Sequence, residues 1–146
     1  MAALGRLELI SRALTGAIDL RELVKSEFKH HTPRECITIR GPAVCLHQMA
    51  AETIALALSE LNNYAVLMRT DEKSQARVNV EWQTTCGALV LEWRKSGAKN
   101  VPTVAGYIKE LIEFALPFTS GMRTQLAFGR RETYCRIELR NYESRC

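Results

Sequence analysis

Apolar residues first recur at helical spacing at Leu4, Leu7, Ile10 and Leu14. Gly16 breaks that helix. Asp19 suits the N-cap of a second helix, and Glu22, three residues on, completes a variant of the capping box. This second helix carries Leu20, Leu23, Val24 and Phe28 on one face and stops at Thr32-Pro33. The period then changes. Cys36 to Arg40 alternates as a strand, Gly41-Pro42 turns the chain, and Val44-Cys45-Leu46 reads as a second, short strand. The longest helix is predicted from His47 to Met68. It is rich in Ala and Leu, has no Gly or Pro inside, and sets Ala50, Ile54, Leu58, Leu61 and Ala65 along one stripe.

Thr70 to Ala76 is polar and reads as a loop. Arg77 to Gln83 alternates with Val78, Val80 and Trp82 on one face. Thr84 to Gly87 turns, and Ala88 to Trp93 is the hairpin partner. Ser96 to Pro102 is irregular. Val104 to Leu116 predicts a helix with Tyr107, Ile108, Leu111, Ile112 and Ala115 inward, stopped by Pro117. Met122 to Phe128 and Thr133 to Leu139 form a second hairpin around Gly129 to Glu132. Asn141 to Cys146 is expected to fray. This order predicts an α/β two-layer sandwich, a mixed, mostly antiparallel sheet with helices on one face, preceded by one or two N-terminal helices. Residues 1–31 form the N-terminal helical segment, 32–140 the sheet-containing domain and 141–146 a tail.

Composition narrows the function classes. Hydrophobic residues at 47% and charged residues at 25% fit a globular protein. No apolar run reaches the ~18 residues of a membrane span, and Arg6, Glu8 and Arg12 interrupt any signal-peptide core. Neither a membrane nor nucleic acid is an expected partner, since the net charge of +4 is spread along the chain. The five cysteines are odd in number and widely spaced, with no CxxC pair, which argues against a zinc site or a disulfide framework. Cys36, Cys45 and Cys135 read as small buried hydrophobes. Reduced thiols without an export signal place the expectation in the cytoplasm.

Local sequence adds a resemblance. Ile54-Ala-Leu-Ala-Leu-Ser-Glu-Leu-Asn-Asn-Tyr-Ala-Val resembles the N-box helix A-L-H-E-L-x-T-N-A-x-K-Y of HWE/HisKA_2-type sensor histidine kinases. Arg77-Val-Asn-Val-Glu-Trp and Leu89-Val-Leu-Glu-Trp-Arg are similar to the hairpin before their W-x-E-x-G-G-P box. Gly106-Tyr-Ile-Lys-Glu-Leu-Ile-Glu-Phe-Ala-Leu resembles their G-F-G-x-x-L-I-E-x-A-L segment, and Tyr134-Cys-Arg-Ile-Glu-Leu their last strand. Leu7 to Leu23 is similar to the end of their dimerisation region and the linker that follows. The matches are collinear through nearly the whole chain, and no single motif is intact. The resemblance implies the Bergerat-type ATPase fold of bacterial two-component kinases.

In those kinases the N-box supplies a Glu that polarises attack and an Asn that holds magnesium. Glu60 matches the Glu, while Tyr64 stands at the Asn. A phenol that stays protonated at neutral pH is a poor magnesium ligand. Asn63 is adjacent but about 100° round the helix. The acid that takes the adenine amino group is matched by Lys95, which turns an acceptor into a donor-only cation. Gly97 matches the first glycine of that box and Ala98 replaces the second. Gly106 matches the first glycine of the next box, and Ile108 replaces the glycine that lets backbone approach the phosphates. Three boxes altered in the direction that removes nucleotide affinity imply a former ATP pocket, with no cofactor expected.

The residues therefore support a degenerate kinase-like domain that binds a histidine kinase, a response-regulator receiver domain or another signalling protein. Its first helix would self-associate or dock on a partner helix, giving a possible homodimer. The alternative is a divergent active kinase domain holding ATP and magnesium, with Glu60 catalytic and Asn63, Gly97 and Gly106 in the residual site. A phosphotransfer adaptor using His30 or His31 is a second alternative. Against it, both histidines sit at a helix C-terminus, where they favour the dipole, and no His precedes His30. His47 reads as a surface or capping residue. Trp82, Trp93, Phe114 and Phe128 fall on apolar faces and read as core.

Overall fold

The structure is a computed structural model that describes residues 17–29, 36–67, 77–96, 108–115, 122–129 and 132–143. The first predicted helix, the 70–76 loop, His30, His31, Gly97, Gly106 and residues 144–146 lie outside the described residues.

The described chain opens on a two-residue strand, β1 (Ile18–Asp19), followed at once by α1 (Leu20–Phe28). The Asp19 carboxylate accepts the Arg21 amide at 3.3 Å and Glu22 lies in the first turn, so the helix starts where the capping pattern placed it. Strand β2 (Cys36–Arg40) is followed by the short β3 (Cys45–Leu46) and the long α2 (Gln48–Leu67). The His47 ring caps α2: its Nδ1 accepts the Ala50 amide at 3.2 Å. The ring's Nε2 therefore carries the hydrogen and donates to the Asn141 carbonyl. The long hairpin is β4 (Arg77–Thr85) and β5 (Ala88–Ser96), each extending beyond its predicted end. A helix over residues 108–115, α3, precedes the second hairpin, β6 (Arg123–Phe128) and β7 (Glu132–Arg140).

The main sheet has five strands in the order β2-β4-β5-β7-β6. Strand β2 runs parallel to β4, and the remaining pairings are antiparallel. One face is apolar. Val78, Val80 and Trp82 align with Lys95, Trp93 and Leu91. These in turn align with Thr133, Cys135 and Ile137. Helices α1 and α2 cover this face with Leu20, Leu23, Val24, Ile54, Leu58 and Leu61, all 0% exposed. The two-layer sandwich with helices on one face is as expected. The opposite face is polar, where Tyr134 donates to Glu92 at 2.7 Å and the Arg94 guanidinium lies 5.0 Å from the Tyr134 ring centre.

Three local features depart from the sequence reading. Strand β3 leaves the main sheet and pairs with β1, Ile18 opposite Leu46. Residues 141–143 do not fray: the His47 amide donates to the Tyr142 carbonyl at 3.1 Å, Tyr142 is buried, and Glu143 bridges to Leu46. Within α3, Leu111–Ala115 winds as a π-helix instead of a plain α-helix. There the Thr124 hydroxyl donates to the Ile112 carbonyl and the Glu113 carboxylate accepts the Leu126 amide at 2.9 Å. Thr124 on the edge strand thus competes for a backbone carbonyl that a regular α-turn would use.

Candidate functional site

The residues singled out in the N-box-like helix lie on the C-terminal half of α2, which rests on the sheet at the far end of β5. Tyr64 is 0% exposed. Its ring meets Phe128 edge-on, with centroids 5.6 Å apart and planes at 61°. Its phenol is hydrogen-bonded to the Thr133 side chain; burial pushes its pKa above the ordinary value, and the Thr133 bond acts in the opposite direction. Thr133 is in turn the cross-strand neighbour of Lys95 on β5 and of Phe128 on β6. Two positions 31 residues apart in sequence, Tyr64 and Lys95, therefore converge on Thr133 at one end of the apolar face.

Lys95 is 1% exposed and Ile108, at the start of the described part of α3, is 3% exposed. Both are integrated into the interior. Glu60 is half-buried and Asn63 exposed on α2, so Asn63 does not share the inward face with Tyr64. Gly97 and Gly106 belong to stretches outside the described residues. Among the described residues, no three His, Cys, Asp or Glu side chains cluster to hold a metal ion.

Asn62 was missed by sequence reasoning. It is 3% exposed, accepts the Trp93 indole N–H at 3.2 Å and donates to the Glu27 carbonyl at 3.3 Å. It thus ties α1, α2 and β5 together. Only its place one residue after inward Leu61 hinted at burial; its neighbour Asn63 gives the opposite signal.

His47 lies at the other end of α2 and serves as the cap described above, in agreement with its reading as a capping residue. Beside it is an open cleft of about 270 Å³ lined by His47, Met49, Ala50, Thr53, Leu139 and Arg140. Trp82 and Trp93 are core residues, 4% and 0% exposed. Cys135 is buried and free and Cys86 is exposed and free, but Cys45 is disulfide-bonded. The expectation that Cys45 is a reduced, purely packing residue is therefore corrected; spacing along the chain says nothing of proximity across the fold. No described helix is long and apolar enough to cross a membrane.

No protein-family model and no curated protein matches the sequence. Solved structures do match. The chain is similar to the histidine kinase domain of the Erythrobacter litoralis EL346 blue-light activated histidine kinase, with TM-score 0.69 at 14% identity over 94% of this chain and 78% of that one. In a longer structure of the same kinase the TM-score is 0.70 at 14% identity, again over 94% of this chain but only 46% of that one. The Acinetobacter baumannii histidine kinase AdeS gives TM-score 0.63 at 10% identity, over 94% and 76% of the two chains. At such identities the likeness establishes architecture, and the architecture of this chain is the histidine kinase ATPase-domain fold.

Proposed function

We propose that the chain is a degenerate histidine kinase-like domain that works as a signalling interaction or regulatory module, with weak or no ATP binding. The observation that carries this reading is the burial of the three altered box positions. Tyr64, Lys95 and Ile108 are 0%, 1% and 3% exposed. A magnesium ligand, an adenine acceptor and a phosphate-approach glycine each have to face a ligand. Here the matching positions hold a phenol packed on Phe128 and Thr133, a lysine side chain in the interior and a β-branched core residue. Removing any of them from its packing to admit a nucleotide would cost burial and hydrogen bonding together.

On this reading the retained fold presents surfaces to a protein partner such as a histidine kinase or a receiver domain. The test is a thermal shift and calorimetric titration with millimolar ATP and Mg²⁺. A domain that bound nucleotide at 100 times its Kd would gain about 2.7 kcal/mol of apparent stability. No shift and no heat are expected. A saturable shift would replace this reading with the active-kinase alternative, in which half-buried Glu60 acts as the polarising base.

A further inference from the structure

The cleft at the N-terminal end of α2 lies between that helix and the end of β7, and both of its walls are fixed. On the helix side the His47 ring accepts the Ala50 amide through Nδ1; on the strand side its Nε2 donates to the Asn141 carbonyl. Asn141 turns the chain off β7 at φ 53°, in the left-handed region that asparagine tolerates. The next residue, Tyr142, returns to the helix, where its carbonyl accepts the His47 amide at 3.1 Å. The cleft is therefore formed before anything enters it, as binding sites usually are.

Its lining divides by chemistry. Met49, Ala50 and Leu139 are apolar, and Met49 is 69% exposed. Thr53 donates its hydroxyl to the Met49 carbonyl, and both His47 ring nitrogens are engaged. Among the described residues, Arg140 brings the lining its one fixed charge. The acid beside it, Glu138, stands 3.9 Å away, beyond hydrogen-bond reach, and is itself held by Arg136 at 3.3 Å. The first turn of α2 holds no acidic residue, and a helix start also favours an anion. Apolar surface and unopposed positive charge thus lie side by side. At about 270 Å³ the cleft falls just under the roughly 300–1,000 Å³ of small-ligand pockets, which suits one side chain rather than a whole cofactor.

We infer that this cleft is the docking site for an extended peptide segment of a partner protein. One bulky apolar side chain of the segment seats on Met49, Ala50 and Leu139, while a neighbouring carboxylate pairs with Arg140. The inference rests on the reading of the chain as an interaction module and adds the chemistry that its partner presents. From Met49 to Tyr64 is 15 residues, roughly 22 Å along a helix, so peptide and nucleotide binding can be read separately.

The probe is the N-acetylated, C-amidated peptide Gly-Ser-Asp-Phe-Glu-Ser-Gly, titrated into the isotope-labelled full chain and followed by amide chemical shifts. Saturable shifts are expected at Met49, Ala50, Thr53 and Asn141. Replacing the peptide's Phe by Ser, or both its acids by Lys, should weaken binding about tenfold or more. M49D and R140E should do the same from the protein side, and M49D, at an exposed helix position, keeps the test intact if R140E folds poorly. No saturable shift at millimolar peptide overturns the inference. So do shifts confined to other surfaces, or a lysine peptide that binds as tightly as the acidic one. Saturable ATP binding alongside peptide binding would remove the non-nucleotide reading and leave the cleft assigned. A chain that ignores both would lose the cleft and keep that reading.

Discussion

Cys135 has 0% exposure at the middle of the sheet, between Trp93 on β5 and Leu126 on β6. Burial first, and the nearby charge of Glu113 second, push its thiol from an ordinary 9.0 up to about 12. The unfolded chain gives up this proton near pH 9, while the native state keeps it. Stability from this group is therefore complete below pH 9 and is lost as pH rises from there through about 12. Tyr64, whose pKa burial also raises, adds a term of the same sign above its ordinary 10.0. Thermal midpoints measured from pH 8 to 11 should fall, and the fall should be shallower in C135V, which is apolar and has no proton to lose. Equal slopes in the two proteins would contradict this account. Single residues were unevenly legible. Ile108 was placed inward because it continues an apolar stripe, whereas Tyr64 lies outside the stripe read for the long helix and is nevertheless 0% exposed. Asn62 was not placed inward, because a buried amide is recognised only by partners that come from other elements, here Trp93 and Glu27.

The link between α1 and the β2–β3 turn shows how elements are joined. The Arg21 guanidinium donates to the Ile39 carbonyl at 3.3 Å and to the Gly41 carbonyl at 2.7 Å, and lies 5.4 Å from the Trp82 ring centre. Trp82 donates its indole N–H to the Pro42 carbonyl at 2.8 Å. A Cβ on Gly41 would run into the Trp82 indole, so glycine is required here by close approach. G41A is expected to destabilise the protein by about 1–3 kcal/mol through overpacking, read from chemical denaturation. R21K should not recover the stability lost in R21A, because an ammonium cannot bridge two carbonyls and stack on the indole together. A full recovery by R21K would refute that geometry. Elements with a sustained period, α1, α2 and the β4–β5 hairpin, were readable within a residue or two at most ends. The two-residue β1 has no period to read, and its existence depends on Leu46 and Cys45 lying alongside. The π-turn likewise has its partners on another element, Thr124 at the Ile112 carbonyl and Leu126 at the Glu113 carboxylate. Local sequence carries helix and hairpin formation, and long-range pairing carries the rest.

At the scale of the molecule, the sandwich was legible as a whole from the order of elements, and the collinear kinase-like segments pointed to the same architecture. The parallel pairing of β2 with β4 specifies the sheet's mixed character and makes β2 one edge and β6 the other. At the β6 edge the Glu113 carboxylate takes the Leu126 amide, so a group open to another strand is already satisfied. The Tyr64 end and the cleft end lie at opposite ends of α2. A change at Tyr64 therefore need not reach Met49. The small sheet made by β1, β3 and Glu143 brings the two ends of the described chain together. With β3 between them, Ile18 and Glu143 are separated by two strand spacings, roughly 10 Å. The ends of the segment 17–143 are thus close enough to be joined by a short linker. A circular permutant of residues 17–143, joined by about six Gly/Ser residues and opened between exposed Cys86 and Gly87, should fold with a single cooperative transition. Loss of that transition would show that the Cys86–Gly87 turn is needed to nucleate the β4–β5 hairpin. If the permutant folds, the domain is a cassette that can be spliced whole into a loop of a host protein.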